Sequence, residues 1–217
     1  MILEGFPVGP VGANCYIFGD DGTGEVFVID PGDEPERILE RLRQLGARPV
    51  AIVNTHGHFD HVQGVDAVRR ATGAPFWIHE AEREVLEQGP ARAQLLFGIY
   101  VPPSPVPDRW LADGDRLEVG GLALTVRHTP GHSPGGVCLL GDGLAFVGDT
   151  LFAGSIGRTD LPGADLDTLL RSIARVLLPL RDDTVCYPGH GPETTIGEEK
   201  RTNPFIAPLL RRGEEGP

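Results

Sequence analysis

Thr55-His56-Gly57-His58-Phe59-Asp60-His61 is the stretch that decides how this chain reads. It sets three imidazoles and a carboxylate in a His-x-His-x-Asp-His cluster just behind the apolar run Ala51-Ile52-Val53. Imidazole and carboxylate are the groups that hold zinc, iron or manganese. Three more arrive singly: His132, Asp149 and His190, each behind an apolar run of its own. Leu122 to Val126 leads to His128-Thr129-Pro130-Gly131-His132, Leu144 to Val147 to Gly148-Asp149-Thr150, and Thr184 to Tyr187 to Pro188-Gly189-His190. Short apolar runs bounded by Gly and Pro read as buried strands, so each candidate ligand falls just past a strand end, where open sheets build their sites. A glycine directly precedes His58, His132, Asp149 and His190, as the turns of a crowded site require. The set exceeds what one metal needs and suits two metals sharing a bridging carboxylate and a water. His79 and His128 stand outside it and read as surface or supporting groups.

Composition narrows the function. With 217 residues, 40% of them hydrophobic, the chain can bury a sizeable core. A net charge of −12 argues against a nucleic-acid partner. Cys15, Cys138 and Cys186 are an odd number at no metal spacing; the latter two sit in apolar runs and read as buried thiols in a reducing compartment. No signal peptide is visible at the start and no apolar run reaches membrane-spanning length, so the expected location is cytoplasmic and no membrane partner is expected. Oligomeric state is not legible.

Along the chain, Cys15 to Phe18 and Val26 to Ile29 read as paired strands around an Asp/Gly turn. Pro35 to Leu45 reads as a helix stopped by Gly46. A further helix is expected over Val62 to Ala71, with Asp60 at its amino end, where the helix dipole favours a carboxylate. Ala74 to Ile78 reads as a strand and Ala81 to Glu87 as a helix. Residues 88 to 115, rich in proline, read either as a lid or as a satellite apolar cluster. Four short strands follow between Leu117 and Val147, then a helix over Leu166 to Leu177 and a last one over Gly197 to Ile206, interrupted by Pro204. A two-sheet sandwich with helices outside fits, as one domain over 1–217 with two halves of similar element order.

The cluster His56-x-His58-x-Asp60-His61, with His132, Asp149 and His190 in this order, resembles the metallo-β-lactamase superfamily over nearly the whole chain. That resemblance implies an α/β fold, the αββα four-layer sandwich, with a two-metal site at one edge. It also implies a ligand allocation: His56, His58 and His132 for one metal, Asp60, His61 and His190 for the other, Asp149 between them, and Asp60 as the candidate catalytic residue. Asp30, in Ile29-Asp30-Pro31-Gly32, matches a loop-ordering acid of the family.

Within the superfamily, Thr129 to Gly135, Gly148 to Phe152 and Pro188 to Gly191 are similar to glyoxalase II, the hydroxyacylglutathione hydrolases. True β-lactamases usually carry a cysteine where Asp149 stands, which counts against antibiotic hydrolysis. Pro192 replaces a tyrosine of glyoxalase II, and 27 residues after His190 are too few for its helical domain. Arg158 matches its basic residue and is a candidate substrate-binding group; paired with Asp160, it also reads as an ordinary surface arginine. Gly157-Arg158-Thr159-Asp160 resembles persulfide dioxygenases as well, which share the fold and bind one iron; His56, His132 and Asp149 would hold it.

The resemblance implies two divalent ions, zinc first, iron or manganese as alternatives. They would ionise a bridging water, whose pKa falls from ~15.7 to about 7 on zinc. No Gly-x-Ser-x-Gly elbow or ligand-motif cysteine offers a protein nucleophile. A thioester suits this machinery, because a thiol of pKa ~8.5 leaves without a strong acid. The expected activity is hydrolysis of a small thioester of the S-acyl glutathione kind, with persulfide dioxygenase and lactone hydrolase as alternatives.

Overall fold

The computed structural model describes residues 1–214, apart from the side chains of 96, 97 and 211–214; the last three residues of the 1–217 span lie outside the described residues. Its first sheet runs in the order β1 (Ile2–Val8), β2 (Ala13–Gly19), β3 (Glu25–Ile29), β4 (Arg48–Val53), β5 (Phe76–His79) and β6 (Arg109–Leu111). Its second contains β7 (Arg116–Val119), β8 (Leu122–His128), β9 (Val137–Gly141), β10 (Leu144–Gly148), β13 (Val185–Pro188) and β14 (Thr194–Thr195), ordered β14-β13-β10-β9-β8-β7. Two very short strands, β11 (Leu151–Phe152) and β12 (Ser155–Ile156), form a separate hairpin.

The central strands are apolar on both faces because both faces are covered. In β2, Cys15 and Ile17 pack outward under helices α1 (Pro35–Leu45) and α3 (Val65–Thr72), while Tyr16 and Phe18 face the second sheet. Val26 and Val28 against Phe27 and Ile29 repeat that alternation in β3. On the far side, Cys138, Ala145, Val147 and Cys186 meet Leu169, Ile173 and Leu177 from α5 (Leu166–Ser172) and its π-helical continuation over Ile173–Leu177. The layers are helix, sheet, sheet, helix: the αββα sandwich. All three cysteines are buried free thiols. Among the described residues, no helix is long and apolar enough to cross a membrane.

Four element boundaries depart from the sequence reading. The chain starts with a strand, β1, that the reading passed over. The expected helix over Val62 to Ala71 is split into α2 (Phe59–Val62) and α3, so Asp60 lies inside a first helical turn rather than ahead of one. Gly64 makes the break: its N–H donates to the Pro31 carbonyl at 2.9 Å, and a Cβ there would meet that oxygen at 2.6 Å. Helix α4 (Arg83–Phe97) continues well beyond Glu87 and carries Pro90 inside it, so the proline-rich stretch is helical at its start. The final helix is two, α6 (Ile196–Thr202) and α7 (Ala207–Glu214), because Pro204 cannot continue the first.

Candidate metal centre

Strands β3, β4, β8, β10 and β13 all end at one edge of the sandwich. Asp30, the His56–His61 cluster, His132, Asp149 and His190 leave those ends in turn, which is why ligands scattered over the sequence meet. Nitrogen and oxygen atoms of His56, His58 and His132 lie within 4.8 Å of one another, and so do those of Asp60, His61 and His190. His58 Nδ1 is 2.9 Å from His132 Nε2, and His61 Nε2 is 3.3 Å from His190 Nε2. Asp149 stands between the groups: Oδ1 is 3.6 Å from His61 Nε2, and Oδ2 is 3.5 Å from His132 Nε2 and 3.7 Å from His190 Nε2. All seven sequence-read residues are brought together. The backbone crowds in too: a Cβ at Gly189 would sit 2.1 Å from Asp149 Oδ1, so only glycine fits between the last ligand loop and the acid.

Hydrogen bonds aim the imidazoles. The Thr55 hydroxyl donates to Asp30 Oδ2 at 2.6 Å, and its oxygen lies 3.1 Å from His56 Nδ1. With its one proton spent, that oxygen accepts from His56, which assigns the proton to Nδ1 and a lone pair to Nε2. His56 Nε2 and Asp149 Oδ1 are buried without any hydrogen-bond partner. Buried polar atoms rarely stay unpaired, and lone pairs converging within these distances fit cations well. His132 Nδ1 donates to the Arg158 carbonyl at 2.8 Å, again leaving Nε2 for the centre. His61 Nδ1 lies 3.2 Å from Asp30 Oδ2. Asp30, itself buried with φ 49°, also accepts from Thr55 N–H at 2.7 Å; both its oxygens are taken, so it orients the site rather than joining it.

Charge divides the centre. Burial and the neighbouring His132 push His58 down to about 3, and burial pushes His56 well down. Burial also works against charge on His61, but Asp60, Asp149 and Asp30 overcome it and raise that imidazole to about 10. The same pairing holds the Asp60 carboxyl below the ordinary range despite burial, and Asp60 Oδ2 is 3.3 Å from His190 Nε2. The acids concentrate negative potential that positive charge must answer.

A pocket of about 470 Å³ opens onto His58, Asp60, His132, Asp149 and His190. Val85, Ala93 and Ile99 form part of its wall, so the start of the 88–115 stretch lines the site. Arg158 also lines it, while its guanidinium forms a two-pronged ion pair with Asp160 at 2.7 and 2.8 Å. Its place on the pocket wall leaves the substrate-binding reading open, the ion pair with Asp160 is present, and its backbone carbonyl orients His132. His79 and His128 stack on each other, ring centroids 4.2 Å apart, outside the centre. Sequence reasoning missed Thr55, Glu82 and Arg92. Thr55 alone had a signal, adjacent to His56.

The metallo-beta-lactamase superfamily profile matches residues 8–190, and the chain belongs to that superfamily. Fold and clustered ligands define a metallohydrolase with a dinuclear divalent metal centre. The chain is 40% identical over 210 residues to "Hydroxyacylglutathione hydrolase GloC" of Haemophilus influenzae, covering 95% of this chain and 98% of that one. The solved structure of BLEG-1 B3 metallo-beta-lactamase superposes with a TM-score of 0.89 at 40% identity, over 94% of this chain and 99% of that one. That of TTHA1623 in a di-iron-bound form gives 0.86 at 43% identity, over 93% and 99%.

Proposed function

We propose that the protein hydrolyses a small thioester of the S-acyl glutathione kind. The observation that carries this is Asp149 lying between two ligand clusters at the floor of an open pocket. His56, His58 and His132 would hold one cation and Asp60, His61 and His190 the second, with Asp149 in reach of both clusters; zinc is the first expectation, with iron or manganese as alternatives. When bound, such cations ionise water near neutral pH and polarise a carbonyl.

The chain's own groups do the rest. Thr55, Asp30 and the Arg158 carbonyl fix the ring orientations, so the lone pairs need no rearrangement. Asp60 stays ionised across the neutral range, so its part is to hold charge and accept a hydrogen bond beside the substrate. The three thiols supply no nucleophile: burial raises Cys15 well above its ordinary value, Cys138 to about 11 and Cys186 to about 12. A leaving thiolate asks for no strong acid, which favours thioesters over amides. The likeness to the Haemophilus influenzae hydrolase supports the same reading.

A substrate screen on metal-loaded protein tests it. Release of glutathione from S-lactoylglutathione without oxygen uptake is expected. Stoichiometric oxygen uptake with glutathione persulfide would instead establish a mono-iron dioxygenase. Lactone turnover alone would establish a lactonase. Opening of a β-lactam, which the likeness to BLEG-1 makes worth including, would move the substrate class altogether.

A further inference from the structure

Arg92 is anomalous for this chain. Among the described residues, arginines 37, 41, 43, 48, 69, 70, 83, 109, 116, 127, 158, 171, 181 and 201 all pair with a carboxylate. Arg92 does not. It is half-buried on α4, lines the pocket with His58 and Asp60, and its positive charge acts on His58. Among the described residues its one side-chain bond runs from Nη2 to Gln88 Oε1, leaving Nε and Nη1 without a partner there. Arg158, the other basic residue of the pocket, is already neutralised by Asp160.

A half-buried guanidinium with two free donors wants a planar anion. In a protein of net charge −12, whose centre is itself acidic, an anionic substrate is repelled unless something local answers its charge. We propose that Arg92 is a substrate-binding residue that recognises a carboxylate remote from the scissile carbonyl. Apolar side chains such as Val85, Ile99 and Phe152 would then hold the intervening chain. This deepens the thioesterase reading and rests on it for the bond cleaved, but not for the charge recognised.

The test uses matched pairs, one member carrying a free carboxylate and the other an amide cap, made as thioesters and as oxygen esters. Arg92→Ala should lower the ratio of kcat/KM for carboxylate over capped substrate by about 10- to 100-fold, the scale of a charge-assisted hydrogen bond. Arg92→Lys, which keeps charge but not the fork, should recover part of it. An unchanged ratio in Arg92→Ala overturns the proposal. If only the ester pair is cleaved, yet with the same loss of ratio, the thioester reading fails and the carboxylate site stands.

A second inference rests on a different residue. Glu82, fully buried at the start of α4, accepts from Gly57 N–H at 2.7 Å and from Gly135 N–H at 2.5 Å. Gly57 separates His56 from His58, and Gly135 ends the turn that holds His132. One carboxylate thus ties both loops of the three-histidine cluster to the helix that walls the pocket. We infer that Glu82 is a positioning residue setting the spacing of that cluster.

In Glu82→Gln one amide N–H₂ would face a backbone N–H, releasing one loop. Chelator competition should then show one of two metals bound about 10- to 100-fold more weakly, the other unchanged. Glu82→Asp, too short to reach both loops, should show the same split if the glutamine variant folds poorly. Equal weakening of both metals, or of neither, would overturn the assignment.

Discussion

The two halves of the metal centre are built on opposite electrostatic terms. In the cluster of His56, His58 and His132, burial favours the neutral form of His56 and His58, while a hydroxyl aims His56 and a backbone carbonyl aims His132. Asp60, His61 and His190 make an acidic one, where carboxylates draw positive charge onto the rings. The first would hold a cation by directed lone pairs, the second largely by charge. Asp149 lies between them, within 3.7 Å of His61, His132 and His190, so the centre is two unlike clusters sharing a wall.

The largest effect should come from removing a ligand of the three-histidine half. His58→Ala should cost more than about 10²-fold in turnover, above the range for groups that merely orient a ligand. Metal analysis should find one ion retained; loss of both would show that the halves are not separable. Asp30→Ala comes next, because Asp30 reaches His61 directly and His56 through Thr55. Both metals should weaken by about 10- to 100-fold. The donors left bare should destabilise the fold by about 1–3 kcal/mol each, read in denaturant unfolding. Weakening of the acidic half alone would break the link through Thr55. Chelation should lower Tm, since a ligand at 100 times its Kd stabilises by about 2.7 kcal/mol; two resolved steps in a chelator titration would sharpen the contrast. The smallest effect belongs to the rim: Asp160→Ala frees an exposed guanidinium, and KM for a carboxylate substrate should fall by no more than a few-fold. A rise in KM would assign the pair to structure.

Fold and centre were legible because ligand chemistry and strand ends coincide. His132, Asp149 and His190 each follow an apolar run through a glycine, a pattern with few other uses. The orienting groups were harder to see. Glu82 looks like any acidic residue at a helix start; its importance comes from two backbone N–H groups that sequence does not show. Arg92 is one arginine among many, set apart by its place on the pocket wall with no acid beside it. Helix α4 runs past Glu87 into the proline-rich stretch because buried Val85, Leu86 and Ala93 carry its packing face through Pro90. Strand β1 alternates poorly, with Gly5 and Pro7 inside it, and is secured by pairing to β2.

The last ligand loop is fastened by the beginning of the chain. Asn14 Nδ2 donates to the carbonyls of Pro188 and Gly191 at 3.0 and 2.9 Å, the Tyr16 hydroxyl donates to Pro188 at 2.6 Å, and Ala13 bridges to His190. A polypeptide emerging from the ribosome therefore cannot assemble its acidic half until the loop around His190 has come back to meet strand β2, long since synthesised.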